Sequence, residues 1–181
     1  MTTNLCDIDP GPACPTIVRM IVEIPRNSRN KYEFDRDLGV FRLDRFFVLA
    51  DALPGGDYGF IRGTLGEDGD PLDVLGIADE PSFPGCLVEV RPVGVLRMID
   101  RSEPHQKILA VQQHNPRYEG INDATQLFRH LRREIEHFFT IYKELENKKT
   151  RIHGWQGAAA AHRTITARRK RFLARKFTTD E

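Results

Sequence analysis

Asp68-Gly69-Asp70-Pro71-Leu72-Asp73-Val74 sets three carboxylates within six residues, where a turn runs into an apolar strand. Three like charges this close repel by about 1 kcal/mol per pair at ~4 Å even in bulk water, and by more in a cleft. Two readings follow. One is a solvated acidic turn, since Asp-Gly is ordinary turn chemistry; the other is a set of oxygen ligands compensated by something positive. An EF-hand loop is excluded, because the run lacks the later ligand positions and the bidentate Glu of such a loop.

Outward from this stretch, short β-rich runs alternate with turns. They are Thr16 to Ile24, Lys31 to Asp35, Val40 to Phe47, Tyr58 to Arg62, Leu72 to Ile77, Cys86 to Met98 and Lys107 to Gln112. Pro54-Gly55-Gly56 and Pro84-Gly85 punctuate them, and the regular spacing predicts a small antiparallel barrel. After Gly120 the period changes. Leu127, Leu131, Ile135, Phe138, Phe139 and Tyr142 recur at helical spacing, with Asn122 or Asp123 as N-cap, predicting one amphipathic helix of roughly 25 residues. A second helix is expected from near Gly157 through four alanines toward Phe177.

At 181 residues the chain is expected to be a single domain over 1–181, with 1–15 a loose N-terminal segment and 157–181 a basic C-terminal helix. Balanced charge, 27 Lys plus Arg against 26 Asp plus Glu, carries no message about a nucleic-acid or membrane partner. The first fifteen residues lack the apolar run of a signal peptide and no later run reaches membrane-spanning length, so a soluble, cytoplasmic protein is expected. Cys6, Cys14 and Cys86 are odd in number and lack C-x-x-C spacing, which argues against a disulfide framework or a thiolate zinc site.

Lys31, Arg45, Lys107 and the pair Tyr142-Lys143 lie on either side of the acidic run. Carboxylates that hold hard cations, with Lys, Arg and Tyr that hold phosphate oxygens, are the two halves of a metal-assisted phosphoryl-transfer site.

Asp68 to Val74 matches every position of the signature D-[SGDN]-D-[PE]-[LIVMF]-D-[LIVMGAC], and the chain thereby resembles the family I soluble inorganic pyrophosphatases. The flanks agree: Ile21-Val22-Glu23-Ile24-Pro25, Lys31-Tyr32-Glu33, Asp44-Arg45-Phe46, Tyr58-Gly59-Phe60-Ile61, Arg91 to Leu96, and Phe138-Phe139 leading to Tyr142-Lys143. The resemblance implies a mainly β, α+β fold, a five-stranded OB-like closed barrel with flanking α-helices, and hydrolysis of inorganic diphosphate. Asp68, Asp73 and Asp100 would bind Mg2+, with Glu23 and Glu33 completing the acidic rim. Asp70 would be the general base on the attacking water, with Tyr58 close to that nucleophile. Lys31, Arg45, Lys107, Tyr142 and Lys143 would hold the phosphates. The shorter, bacterial members it resembles imply a homo-oligomer, with a hexamer favoured.

The match departs from the pattern near Asp100. The family's D-x-x-x-x-D-x-K reads here Asp100 to Lys107 with His105 at the second Asp. Nitrogen in place of oxygen favours Mn2+, Co2+ or Zn2+ over Mg2+. Leu53 stands where the family commonly has Tyr, one extra residue precedes Tyr58, and Arg101 replaces a customary acid. An alternative function is therefore a divergent protein with weak diphosphatase activity or another phosphorylated substrate. A nucleic-acid role for the acid-free tail Arg163 to Lys176 is the less favoured reading, since it offers little aromatic surface for bases.

Overall fold

The β-branched and aromatic runs become strands, separated by the Pro and Gly turns. The computed structural model describes residues 5, 8–47, 53–100, 103–144 and 150–179. The strands are β1 (Val18–Ile24), β2 (Asn30–Asp35), β3 (Val40–Phe46), β4 (Gly56–Ile61), β5 (Leu72–Ile77), β6 (Leu87–Asp100), β7 (Glu103–Gln112) and β8 (Thr150–Gly157). The helices are α1 (Arg129–Ile141) and α2 (Ala158–Thr179). None of the described helices is long and apolar enough to cross a membrane.

The order β1-β4-β5-β7-β6 closes through a β1–β6 pairing into a ring of five hydrogen-bonded strands, with β8 added beside β6. Four of the ring's pairings are antiparallel and β5–β7 is parallel. β2 and β3 form a separate hairpin. At Gly59 the β1 backbone comes so close that any Cβ would strike the Ile21 carbonyl, which is why a glycine sits mid-strand.

Strand alternation splits the core into two clusters. One gathers Met20, Ile61, Val74, Val95 and Ile108 with Ala161 and Ile165 of α2. The other gathers Leu75, Ile77, Leu96, Met98, Leu109 and Val111 with Ile135, Phe138 and Phe139 of α1.

One expectation needs correction. α1 has 13 residues, not about 25, because an Asp123–Gln126 capping box closes a separate 3-10 turn at Ala124–Gln126. Leu127 then turns extended (φ −72°, ψ 149°), and the helix restarts after Phe128 without a side-chain cap. Trp155 lies on β8, with its ring against the α1 cluster. Near the N-terminus, Pro10 is buried and its carbonyl accepts the Arg19 N–H at 2.9 Å.

Asp123 caps two elements at once. Its carboxylate accepts the N–H of Thr125 at 3.0 Å and that of Ala158, at the start of α2, at 2.9 Å. Those backbone bonds hold its pKa below the ordinary aspartate value. A depressed carboxyl contributes stability that is present above the unfolded-state value, near 3.9, and lost as pH falls through the lower folded value. Asp123→Ala should therefore cost about 1–2 kcal/mol at neutral pH, read as a shift in the denaturant midpoint. The gap from the native protein should close at acid pH; a pH-independent gap would rule out the capping charge as its cause.

Candidate active site

The alternation that buries the leucines also builds the site. Asp73, Leu75 and Ile77 share one face of β5, Leu96, Met98 and Asp100 one face of β6, and His105, Lys107, Leu109 and Val111 one face of β7. On each strand the apolar residues of that face pack toward α1 and the polar ones stand at one end. The parallel register Val74–Ile108 sets Asp73 beside Lys107, and the antiparallel register places His105 opposite Met98. Tyr142 and Lys143 arrive from the end of α1, while Lys31, Glu33 and Arg45 arrive from the β2–β3 hairpin.

All of the sequence-nominated residues line one cleft of about 390 Å³. Its acidic members are Glu23, Glu33, Asp68, Asp70, Asp73 and Asp100; its basic members include Lys31, Arg45, Lys107 and Lys143; Tyr58, Tyr142 and His105 complete the set. Leu53 stands in the wall as a buried apolar contact, and Tyr58 still faces the cleft despite the extra residue before it. Just before it, the buried Asp57 carboxylate accepts the Arg26 N–H and the Ser82 hydroxyl, each at 2.7 Å. Ala52, Arg101 and Cys6 lie outside the described residues.

The cleft's acids and bases are matched to one another. Lys107 pairs with Asp73, and Lys143 with Asp100. Lys31 holds both Glu33 and Asp44, the latter at 3.0 Å. Arg36, in the hairpin turn, lies 3.2 Å from Asp70, and the His105 ring nitrogen Nδ1 lies 3.6 Å from Asp68. Arg36 was not nominated from the sequence. It lies 34 residues from Asp70 along the chain, and no local pattern marks that pairing.

The electrostatics follow from burial first. Burial pushes the Glu23 carboxyl up to about 7, against the Phe34 N–H it accepts at 3.0 Å. Partial burial and the neighbouring Asp68 raise Asp70 above the ordinary carboxylate value, Arg36 notwithstanding. Burial and then the Asp73 carboxylate carry the Tyr58 phenol well above its usual value, and burial takes Tyr142 to about 12. Lys107 is buried, which opposes its charge, yet Asp73 more than offsets this and holds its pKa above the usual lysine value. Both tyrosines are thus neutral hydrogen-bond donors at physiological pH, and Lys107 is a cation.

Among the described residues no three His, Cys, Asp or Glu side chains already surround one point. The donor set is nonetheless that of a hard-cation site, with five carboxylates beside Asp70 or opposite it and one imidazole.

Comparison with known proteins gives a consistent result. The family profile described as inorganic pyrophosphatase matches residues 20–173. The chain is 44% identical over 151 residues to the inorganic pyrophosphatase of Halalkalibacterium halodurans, spanning 83% of this chain and 92% of that one. It is 48% identical over 153 residues to that of Leifsonia xyli, spanning 84% and 93%. The crystal structure of inorganic pyrophosphatase from Thermus thermophilus superposes with a TM-score of 0.91 at 41% identity, covering 94% of this chain and 99% of the other.

Proposed function

The chain belongs to the family I soluble inorganic pyrophosphatases and is an inorganic diphosphatase, and from that premise we propose how its cleft divides the work of hydrolysing diphosphate to two phosphates. The observation that supports this division is the convergence of every nominated acid, base and tyrosine on one cleft. The family is Mg2+-dependent, and the carboxylates of Asp68, Asp73 and Asp100, with Glu23 and Glu33 at the rim, are the oxygen donors suited to such ions. Divalent cations bound there neutralise charge on the phosphate oxygens and lower the pKa of the attacking water.

The chain's own groups do the rest. Lys31, Arg45, Lys107 and Lys143 orient the two phosphates and offset the charge that builds on the departing one. Tyr142 donates a hydrogen bond from its neutral phenol to a phosphate oxygen. Asp70, which no lysine engages among the described ion pairs, is the general base on the attacking water, and Tyr58, which lines the same cleft, steadies that water. Asp73 and Asp100, paired here with Lys107 and Lys143, would hold cations, and the two lysines would then serve phosphate oxygens.

His105 favours a refinement of the cation preference, toward Mn2+, Co2+ or Zn2+, because it lines the cleft and contacts Asp68. The same reading takes the chain as one domain acting in the cytoplasm as a homo-oligomer, a hexamer foremost. Phosphate release from diphosphate, assayed with each of these four metals and with a chelator, tests the division. Hydrolysis should be rapid with at least one divalent ion and should vanish with chelator. Rapid release in chelator would overturn the metal role, and preferred hydrolysis of another phosphorylated compound would favour a divergent substrate. Sedimentation of the native protein as a monomer would remove the oligomer.

A further inference from the structure

Arg168 of α2 grips two of the segments that line the cleft, the one before Asp68 and the one after His105. Its Nη1 donates to Glu67 Oε1 at 3.0 Å, and its Nη2 donates to Gln106 Oε1 at 3.3 Å. Its carbonyl accepts the N–H of Leu65 at 3.1 Å. Glu67 immediately precedes Asp68, and Gln106 immediately follows His105. Arg168, Asp68, Asp73 and His105 line a common recess of about 30 Å³.

The loop that Arg168 holds is closed on itself. Gly66 N–H donates to the Asp70 carbonyl at 2.6 Å, Asp70 N–H to Asp68 Oδ1 at 3.1 Å, and Leu72 N–H to the Thr64 hydroxyl at 2.9 Å. A loop so braced moves as a unit, so fixing one point of it fixes the carboxylates it carries. α2 supplies a rigid anchor, because Ala161 and Ile165 are fully buried in the core. The Arg168 side chain is itself only 19% exposed.

Resting on the reading of the cleft as a cation site, we propose that Arg168 is a positioning residue that locks the Asp68 loop to the His105 strand and thereby sets the affinity for divalent cations. The planar guanidinium suits this role, since one fork spans two acceptors on different segments. Groups that orient ligands from outside govern metal affinity by about 10–100-fold. Charge alone argues the opposite sign: deleting a cation near a cation site strengthens cation binding. The direction of the change therefore separates positioning from electrostatics.

The test is Mn2+ binding to the full chain, measured by calorimetry without substrate and paired with the Mg2+ dependence of diphosphate hydrolysis. Arg168→Ala should weaken Mn2+ about tenfold and raise the Mg2+ requirement, with turnover at saturating Mg2+ near native. Arg168→Lys, which keeps the charge but loses the fork, should weaken Mn2+ by a few-fold. It also keeps the test decisive if Arg168→Ala fails to fold. Arg163→Ala removes the same charge from an exposed site on the same helix and should leave Mn2+ affinity unchanged. Equal or tighter Mn2+ binding by both Arg168 variants overturns the proposal, as does equal weakening by Arg163→Ala. Failure of the native protein to bind Mn2+ at all would instead overturn the cation reading on which the proposal rests.

Discussion

Asp70→Asn should lower turnover on diphosphate by roughly 100-fold or more while leaving Mg2+ affinity and folding close to native, the scale expected when a positioned general base is removed. The amide keeps the shape and still accepts a hydrogen bond, but it cannot take a proton at physiological pH. The fold has little to lose, because Asp70 is 75% exposed and its pairing with Arg36 is a surface ion pair, worth at most about 1 kcal/mol. Asp73→Asn is the contrast. Asp73 is paired to the buried Lys107, so the amide leaves a buried ammonium poorly compensated and takes away a cation ligand. That variant should melt earlier without metal and bind Mn2+ more weakly. Its turnover should recover in part as Mg2+ is raised, whereas that of Asp70→Asn should not. If the two variants gave the same melting curves and the same Mg2+ dependence, the division between base and ligand would be wrong.

The candidate site was legible mainly through the family resemblance, whose signature at Asp68 to Val74, flanking blocks and D-x-x-x-x-D-x-K run mark the nominated residues, and the strands explain why those residues share one side. A strand that alternates Asp73, Leu75 and Ile77 announces both a buried face and a charge at its end, because period 2 fixes which residues share a side. Strand spacing by Pro and Gly turns pointed to a small antiparallel barrel, its five closed strands were implied by the resemblance, and the parallel β5–β7 pairing was not legible in either. β8 escaped because its exposed and half-buried residues alternate weakly, with Gly154 inside it, and because it gains its place only by pairing with β6. The length of α1 was misread for a local reason. The periodic apolar residues run on from Leu127, but the Asp123–Gln126 capping box closes first and leaves Leu127 extended. Arg36 and Arg168 were hidden by distance. Their partners Asp70 and Glu67 are 34 and 101 residues away, and an arginine in a turn or on a basic helix looks like surface until the chain has folded.

His105→Asp should turn the cleft toward Mg2+, raising Mg2+ affinity about tenfold or more and shrinking any advantage of Mn2+, Co2+ or Zn2+. The structure supplies the condition this requires, since His105 lines the cleft and its ring lies 3.6 Å from Asp68. Replacing nitrogen with oxygen removes the donor that suits the softer ions and adds one negative charge to a cluster that concentrates cations. The same charge has a cost before any metal binds. An aspartate at 105 would face Asp68 across that short gap, and like charges there repel. The metal-free variant should therefore melt below the native protein, while saturating Mg2+ should raise its melting temperature by more than it raises that of the native protein, because a ligand that binds only the folded state stabilises in proportion to its affinity. A larger Mg2+-induced rise in the variant than in the native protein would be the signature of a ligand, whereas a residue that merely packed against Asp68 would leave the Mg2+-induced rise unchanged. If the variant kept the native metal preference, Mg2+ requirement and melting behaviour, His105 would have no part in holding the cation, and Asp68, Asp73 and Asp100 would set the metal preference without it.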